Sequence, residues 1–287
     1  MLRSLPTKNL QKTLRMDYSF KLTTTDEKSL ELYSELLSLV FPETKKYTVD
    51  FLKWQYELNP AGKVVGYDAF YDNQLVAHYV TIPVIYSYQS KQIRGLLSLN
   101  TATHPKHQGK KLFTKLAEKT YEYGRQQGYQ FVIGVANQNS THGFVTKLGF
   151  DLISPLEVTM FLGKASISKG SENNFQSYWN KDLSEWRLKN PEANYFKSGG
   201  SVICDTHISL IKAVLSAKPG FSDAQLKNKT APIKMSIGLN LKKSGFLNVN
   251  LPDKYKPSPL NLIFKPLADL EINRNTIYFE LIDFDAY

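Results

Sequence analysis

Leu96–Phe150, LLSLNTATHPKHQGKKLFTKLAEKTYEYGRQQGYQFVIGVANQNSTHGFVTKLGF, is the stretch whose reading decides the fold. It divides into strand, tight basic turn, amphipathic helix, strand and short helix. Leu112, Leu116 and Thr120 stand four apart, as do Phe113, Ala117 and Tyr121. That spacing puts one apolar stripe on a helix and leaves Lys115, Glu118, Lys119 and Glu122 outside it. Gly128 ends the helix where a left-handed residue is favoured. Phe131–Ala136 is a short apolar run of the buried-strand kind. The turn Pro105–Lys111 delivers Gln108, Gly109, Lys110 and Lys111 to the start of the helix. The first N–H groups of a helix lack intrahelical partners and lie at the positive end of its dipole. A Gly-containing basic turn at that end therefore suits phosphate oxygens.

At these residues the chain resembles the GNAT superfamily of acyl-CoA-dependent N-acyltransferases. The family's pyrophosphate loop, Q/R-x-x-G-x-G/A, follows a strand and opens a helix; here Gln108 takes its first position. Lys147-Leu148-Gly149-Phe150 matches the usual end of the acyl-CoA region. Thr103-His104-Pro105 and Asn137 favour a subgroup with two GNAT-like halves, some of whose members resemble sugar-modifying enzymes. The resemblance implies a mixed, mostly antiparallel α/β sheet flanked by helices, with a second, diverged half. It also implies acetyl-CoA or another acyl-CoA as cosubstrate. The residues it places around that cosubstrate are Thr101, Ala102, Thr103, Gln108, Gly109, Lys110, Lys111, Leu112, Phe113 and Asn137.

The chain departs from the family pattern at three positions. Lys111 and Phe113 stand where the loop's small residues are expected, and a bulky residue there can force unfavourable φ values. Val145 occupies the position of the Tyr that often protonates the departing thiolate, and Val cannot donate a proton. The sequence thus supports cofactor binding more fully than the chemical step. His104 beside the turn and His78 on the preceding hairpin are the candidate bases, imidazole being a side-chain type suited to proton transfer. Each also has a structural reading, His104 as a turn residue and His78 as a satisfied sheet residue. Some relatives use the chain end as a base, which here is the carboxylate of Tyr287.

Composition narrows the alternatives. The chain has 287 residues, 42% hydrophobic and 22% charged, as in a folded globular protein rather than a disordered one. No apolar run approaches the roughly 20 residues that span a bilayer. A single cysteine, Cys204, excludes an internal disulfide and fits a cytoplasmic setting. The five His are scattered, so no metal-ligand spacing exists and no metal is expected. A formal net charge of +10 points to an anionic ligand or partner. No nucleic-acid motif accompanies it, which leaves tRNA as the one nucleic acid in view.

Residues 1–15 are expected as a disordered basic tail, 16–163 as the acyl-CoA-binding domain, 164–174 (KASISKGSENN) as a linker, and 175–287 as a degenerate GNAT-like domain shaping the acceptor site. Trp186-Arg187-Leu188-Lys189-Asn190-Pro191 echoes Trp54-Gln55-Tyr56-Glu57-Leu58-Asn59-Pro60, 132 residues earlier at the Trp. This reads as a duplication, the alternative being chance recurrence at two helix ends. Helices are expected over 26–40 and 48–58, with hairpin strands around Asp72-Asn73-Gln74. In the second half, Leu210–Leu215 reads as a helix core, while 234–241, 246–249 and 277–284 read as strands. The function so implied is direct acetyl transfer to a primary amine on a small molecule, such as an amino sugar or sugar nucleotide. The alternatives are an aminoacyl-tRNA-using transferase and a non-catalytic ligand-binding relative.

Overall fold

Caps and turns written in the sequence start the first elements. The computed structural model describes residues 17–172, 174–222, 224–256 and 258–284; the tail at 1–15 and the carboxylate of Tyr287 lie outside them. After β1 (Ser19–Leu22), α1 (Glu27–Val40) begins where the Asp26 side chain accepts from the Ser29 N–H at 3.0 Å. Thr48 caps α2 (Val49–Tyr56) through the Phe51 N–H at 3.2 Å. β2 (Val65–Tyr71) and β3 (Gln74–Tyr88) join at Asp72-Asn73, both with positive φ, as a tight hairpin requires. β3 runs through Pro83, where β2 has already ended, so the missing N–H breaks no ladder on that side. A second hairpin at Gln89-Ser90 leads into β4 (Lys91–Thr103). Then come α3 (Leu112–Gln126), β5 (Phe131–Ala136) and α4 (Gln138–His142), in the order expected of the unit.

β6 (Asp151–Pro155) and β7 (Glu157–Lys169) follow. Residues 164–169, expected as linker, are the far half of β7; alternation in Ala165-Ser166-Ile167-Ser168 buries Ala165 and Ile167 while Ser168 stays outside. The second half holds β8 (Phe175–Ser177), α5 (Lys181–Leu188), β9 (Tyr195–Ser198), β10 (Ser201–Asp205), β11 (Ile211–Leu215) and β12 (Ile233–Leu239). It ends with β13 (Leu241–Asn250), β14 (Asn261–Pro266) and β15 (Ile277–Glu280). The helix expected at Leu210–Leu215 is therefore strand β11. A short apolar run fits both periods, and pairing to Val202–Asp205 and to β12 decides it.

The strands form one continuous mixed sheet in which β4–β5 and β11–β12 are parallel, as is the short β8–β15 contact. The halves exchange strands. β14, from the C-terminal part of the chain, lies between β5 and β6, and β7 lies between β12 and β13. The main core accordingly runs from Leu30 to Phe284 without a break between halves. At its middle the two echoed tryptophans stack, ring centres 4.7 Å apart and 15° from parallel. Trp54 Nε1 donates to the Trp186 carbonyl at 2.8 Å, and Trp186 Nε1 to the Trp54 carbonyl at 2.9 Å. Asn59 and Asn190 likewise each accept at 3.0 Å from the N–H two residues on.

Candidate active site

The site begins where two parallel strands part. β4 and β5 pair only from Gly95–Ser98 against Phe131–Gly134. Beyond that, β4 stays with β3 and β5 with β14, so a wedge opens between them. On its β4 wall, Asn100 and Thr101 together face the single residue Tyr79, a bulge in which Asn100 takes φ 46°. A bulged residue has lost its ladder partner, so backbone groups at this wall are released from the regular ladder. The cleft built on this wedge has a volume of about 740 Å³. Among the described residues its lining includes Lys46, His142 and Lys147, and no Asp or Glu.

α3 aims its N-terminus at the same region. Gly109 takes φ 74° with nothing within 4 Å of where a Cβ would stand, and Lys111, at the N-cap, takes φ 60°. No side chain caps α3 and no acidic residue lies in its first turn. Lys110 and Lys111 at the positive end of a dipole oppose it, an arrangement that an anion resolves. His107, whose Nδ1 lies 3.0 Å from Tyr18 Oη, is held below the usual imidazole range by burial and by His104, Lys110 and Lys106. The residues present thus fit the diphosphate of acyl-CoA at the turn and its pantetheine arm in the wedge.

Of the residues expected around that cosubstrate, Thr101, Phe113 and Asn137 line the cleft. Gln108, Gly109, Lys110 and Lys111 form the exposed turn. Leu112 is buried in the α3–sheet core, so only its backbone can face an anion, and Ala102 is buried as well. Thr103 pairs with Ala77 at the end of β4. Phe113, in place of a small residue, packs against Phe144 and Tyr79 at 5.3 and 5.8 Å and against Gly143, where a Cβ would meet it at 3.2 Å. Asn137 also caps α4, accepting from the Asn139 and Ser140 N–H groups at 3.0 Å.

The two candidate bases do not line the cleft. His104 Nδ1 accepts from the Lys106 N–H at 3.2 Å and caps the turn. His78 is fully buried between Asp68 and Tyr56. Val145 lies in a wide helical turn, Gly143–Lys147, that presents Phe144, not residue 145, to the cleft. Phe150 of the Gly-Phe pair packs edge-on against Phe144 at 5.2 Å. The sequence reading named the backbone of Asn100 to Thr103 as a source of donors but missed the Asn100 side chain and Gln55 as wall groups, together with Leu260 and Phe284 from the far half. These carry no local signature, because pairing and strand exchange bring them in.

The parting of the other long parallel pair, β11–β12, is filled. β11 and β12 pair at Ile211–Ala213 with Ile233–Met235, and β15 then joins β12 at Gly238 and Leu239. Glu280 of β15 accepts from the Ser216 N–H at 3.1 Å, Ser216 Oγ at 2.5 Å, Lys218 Nζ at 2.6 Å and Tyr278 Oη at 3.0 Å. Among the described residues no helix is long and apolar enough to cross a membrane.

Residues 21–153 match the family profile described as an acetyltransferase (GNAT) domain. No curated protein sequence matches the chain. A conserved Enterococcus faecalis protein, named a probable N-acyltransferase, superposes with a TM-score of 0.56 at 8% identity, covering 88% of this chain and 73% of its own. A GCN5-related N-acetyltransferase of Anabaena variabilis gives 0.55 at 8% identity over 87% and 73%. Saccharomyces cerevisiae N-myristoyltransferase with bound myristoyl-CoA gives 0.54 at 12% identity over 88% and 83%. These likenesses establish the fold. The profile match marks residues 21–153, the part that carries the wedge and the bare helix N-terminus, as a GNAT acetyltransferase domain.

Proposed function

We propose that this protein transfers an acyl group from acyl-CoA, acetyl-CoA in the first instance, to a primary amine on a small molecule such as an amino sugar or sugar nucleotide. One observation carries the reading: an uncapped, acid-free helix N-terminus bearing Lys110 and Lys111 beside the splayed β4–β5 wedge. Backbone N–H groups of the β4 bulge are the donors available to the thioester carbonyl, where negative charge develops during attack. No cleft residue suits a covalent intermediate, so direct attack in a ternary complex is the simplest route. The apolar walls from Phe41, Tyr47, Leu99, Leu260 and Phe284 favour a second reading, a longer acyl chain, as used by the yeast myristoyltransferase.

The same reading takes the two halves as a diverged duplication, the second having given up cofactor binding and lending residues to the acceptor side. The reciprocal Trp54–Trp186 bonds and the matched Asn turns support it. Calorimetric titration of acetyl-CoA, myristoyl-CoA and desulfo-CoA, with thiol release across an amine panel, tests the proposal. Wild type binds at least one acyl-CoA, and the Gln108→Ala, Lys110→Ala variant binds at least tenfold more weakly, a loss of about 1.4 kcal/mol. Absence of binding by wild type refutes the reading. Binding without thiol release favours the non-catalytic alternative.

A further inference from the structure

The hydrogen bonds beneath the β4 bulge form one directed string. Asp68, buried on β2, accepts from Thr23 Oγ1 at 3.2 Å and from Tyr33 Oη at 2.7 Å. Its Oδ1 also lies 2.6 Å from His78 Nδ1. A carboxylate only accepts, so an imidazole proton sits on Nδ1, and the neutral ring then carries a lone pair on Nε2. Tyr56 Oη, 3.1 Å from that Nε2, must then donate to it. The same phenol oxygen accepts from Asn100 Nδ2 at 2.9 Å, and that nitrogen also donates to Gln55 Oε1 at 2.6 Å. Both N–H bonds of the Asn100 amide are thereby committed. No described residue donates to its Oδ1, and Asn100 lines the cleft.

Each link dictates the polarity of the next, from a carboxylate out of reach of solvent to an amide oxygen at the cleft wall. His78 and Tyr56 are completely buried, and the Tyr33 ring stacks on the imidazole at 4.2 Å. Packing alone does not call for such a string. Apolar residues of similar size fill a core without the desolvation cost of a buried carboxylate and imidazole. The string's net product is a hydrogen-bond acceptor in a cleft whose described lining residues include no carboxylate.

We infer that Asn100 Oδ1 holds the acceptor amine, accepting one N–H of the attacking nitrogen, and that Asp68, His78 and Tyr56 are positioning residues that fix the orientation of the Asn100 amide. The inference rests on the N-acyltransferase reading above. In the step it serves, the amine nitrogen forms the N–C bond and the C–S bond breaks with its electron pair passing to sulfur. The proton shed by nitrogen neutralises the thiolate by way of water. An N–H held on Asn100 points the nitrogen lone pair at the carbonyl carbon. His78 thus acts two residues back from the cleft, not as the base that touches substrate.

The test is steady-state transfer from acetyl-CoA to two probes, glucosamine and a peptide with an N-terminal glycine, read by thiol release. Desulfo-CoA affinity is measured calorimetrically on the same proteins. Asn100→Ala raises the amine KM about tenfold, the worth of one hydrogen bond to the nucleophile, while desulfo-CoA affinity stays within twofold. Asp68→Asn, which lets the string reverse, raises the amine KM in the same direction by less. Nitrogen-15 NMR of wild type shows the Nδ1–H tautomer for His78, a readout that needs no variant. An unchanged amine KM in Asn100→Ala, or an Nε2–H tautomer, overturns the inference alone. A wild type that binds no desulfo-CoA, or acylates neither probe, overturns the enzyme reading and the inference with it.

Discussion

The parallel pairs β4–β5 and β11–β12 begin alike and end differently. Both part after a few residues, the first beyond Ser98 and Gly134, the second beyond Ala213 and Met235. After β4 the chain makes a basic turn and a 15-residue helix whose bare N-terminus faces the opening. After β11, residues 216–232 make no helix among the described residues, and β15 enters the gap instead. Burial would raise the Glu280 carboxyl, yet Lys218 and the Ser216 donors hold it below the usual range. A splayed pair leaves backbone donors that must be satisfied. In the second wedge the chain supplies its own carboxylate; in the first, the proposed acyl-CoA would do this.

That contrast makes desulfo-CoA bind at one molecule per chain in calorimetry; two would break it. The next largest effect is Glu280→Gln, which leaves Lys218 charged and unpaired in a buried setting. It should cost roughly 3–5 kcal/mol in denaturant unfolding while leaving the binding stoichiometry at one. Because the Glu280 carboxyl is depressed in the folded state, wild type's margin over this variant is present above the ordinary glutamate range. It is lost as pH falls through and below that range. A margin independent of pH would mean that Glu280 fills space and no more. The smallest effect sharpens the first wedge. Lys111→Gly relieves a non-glycine residue at φ 60° and gains up to about 1 kcal/mol, read by chemical denaturation. It also weakens desulfo-CoA binding by removing a cation, so stability and affinity move in opposite directions.

How much of this the sequence discloses depends on the range of the forces involved. The β4–α3–β5 unit is legible because periodicity and Gly128 act within a few residues of one another, and Phe131–Ala136 forms a strand with those very bounds. The loop's location is legible as well, and Lys111 does take the conformation that a glycine would adopt more cheaply. Leu210–Leu215 is illegible because its partners lie elsewhere in the chain. The side-chain places of Asn100 and Gln55 are illegible for a related reason. A lone polar residue on a strand or helix announces nothing until a bulge and a facing helix bring the two amides to 2.6 Å. His78 and His104 are conspicuous as residue types, yet their partners, Asp68 and the Lys106 N–H, give them buried and turn-capping places.

The exchange of β7 and β14 has a consequence for how the chain is made. The sheet that carries the cleft needs Asn261–Pro266 between β5 and β6, so synthesis must pass residue 266 before that sheet can close. Folding unit by unit from the ribosome is therefore denied to the first 163 residues, although they hold nearly every element of the proposed acyl-CoA site. Until β14 arrives, the edges of β5 and β6 stay unpaired, a state that invites aggregation and calls for chaperone cover during translation.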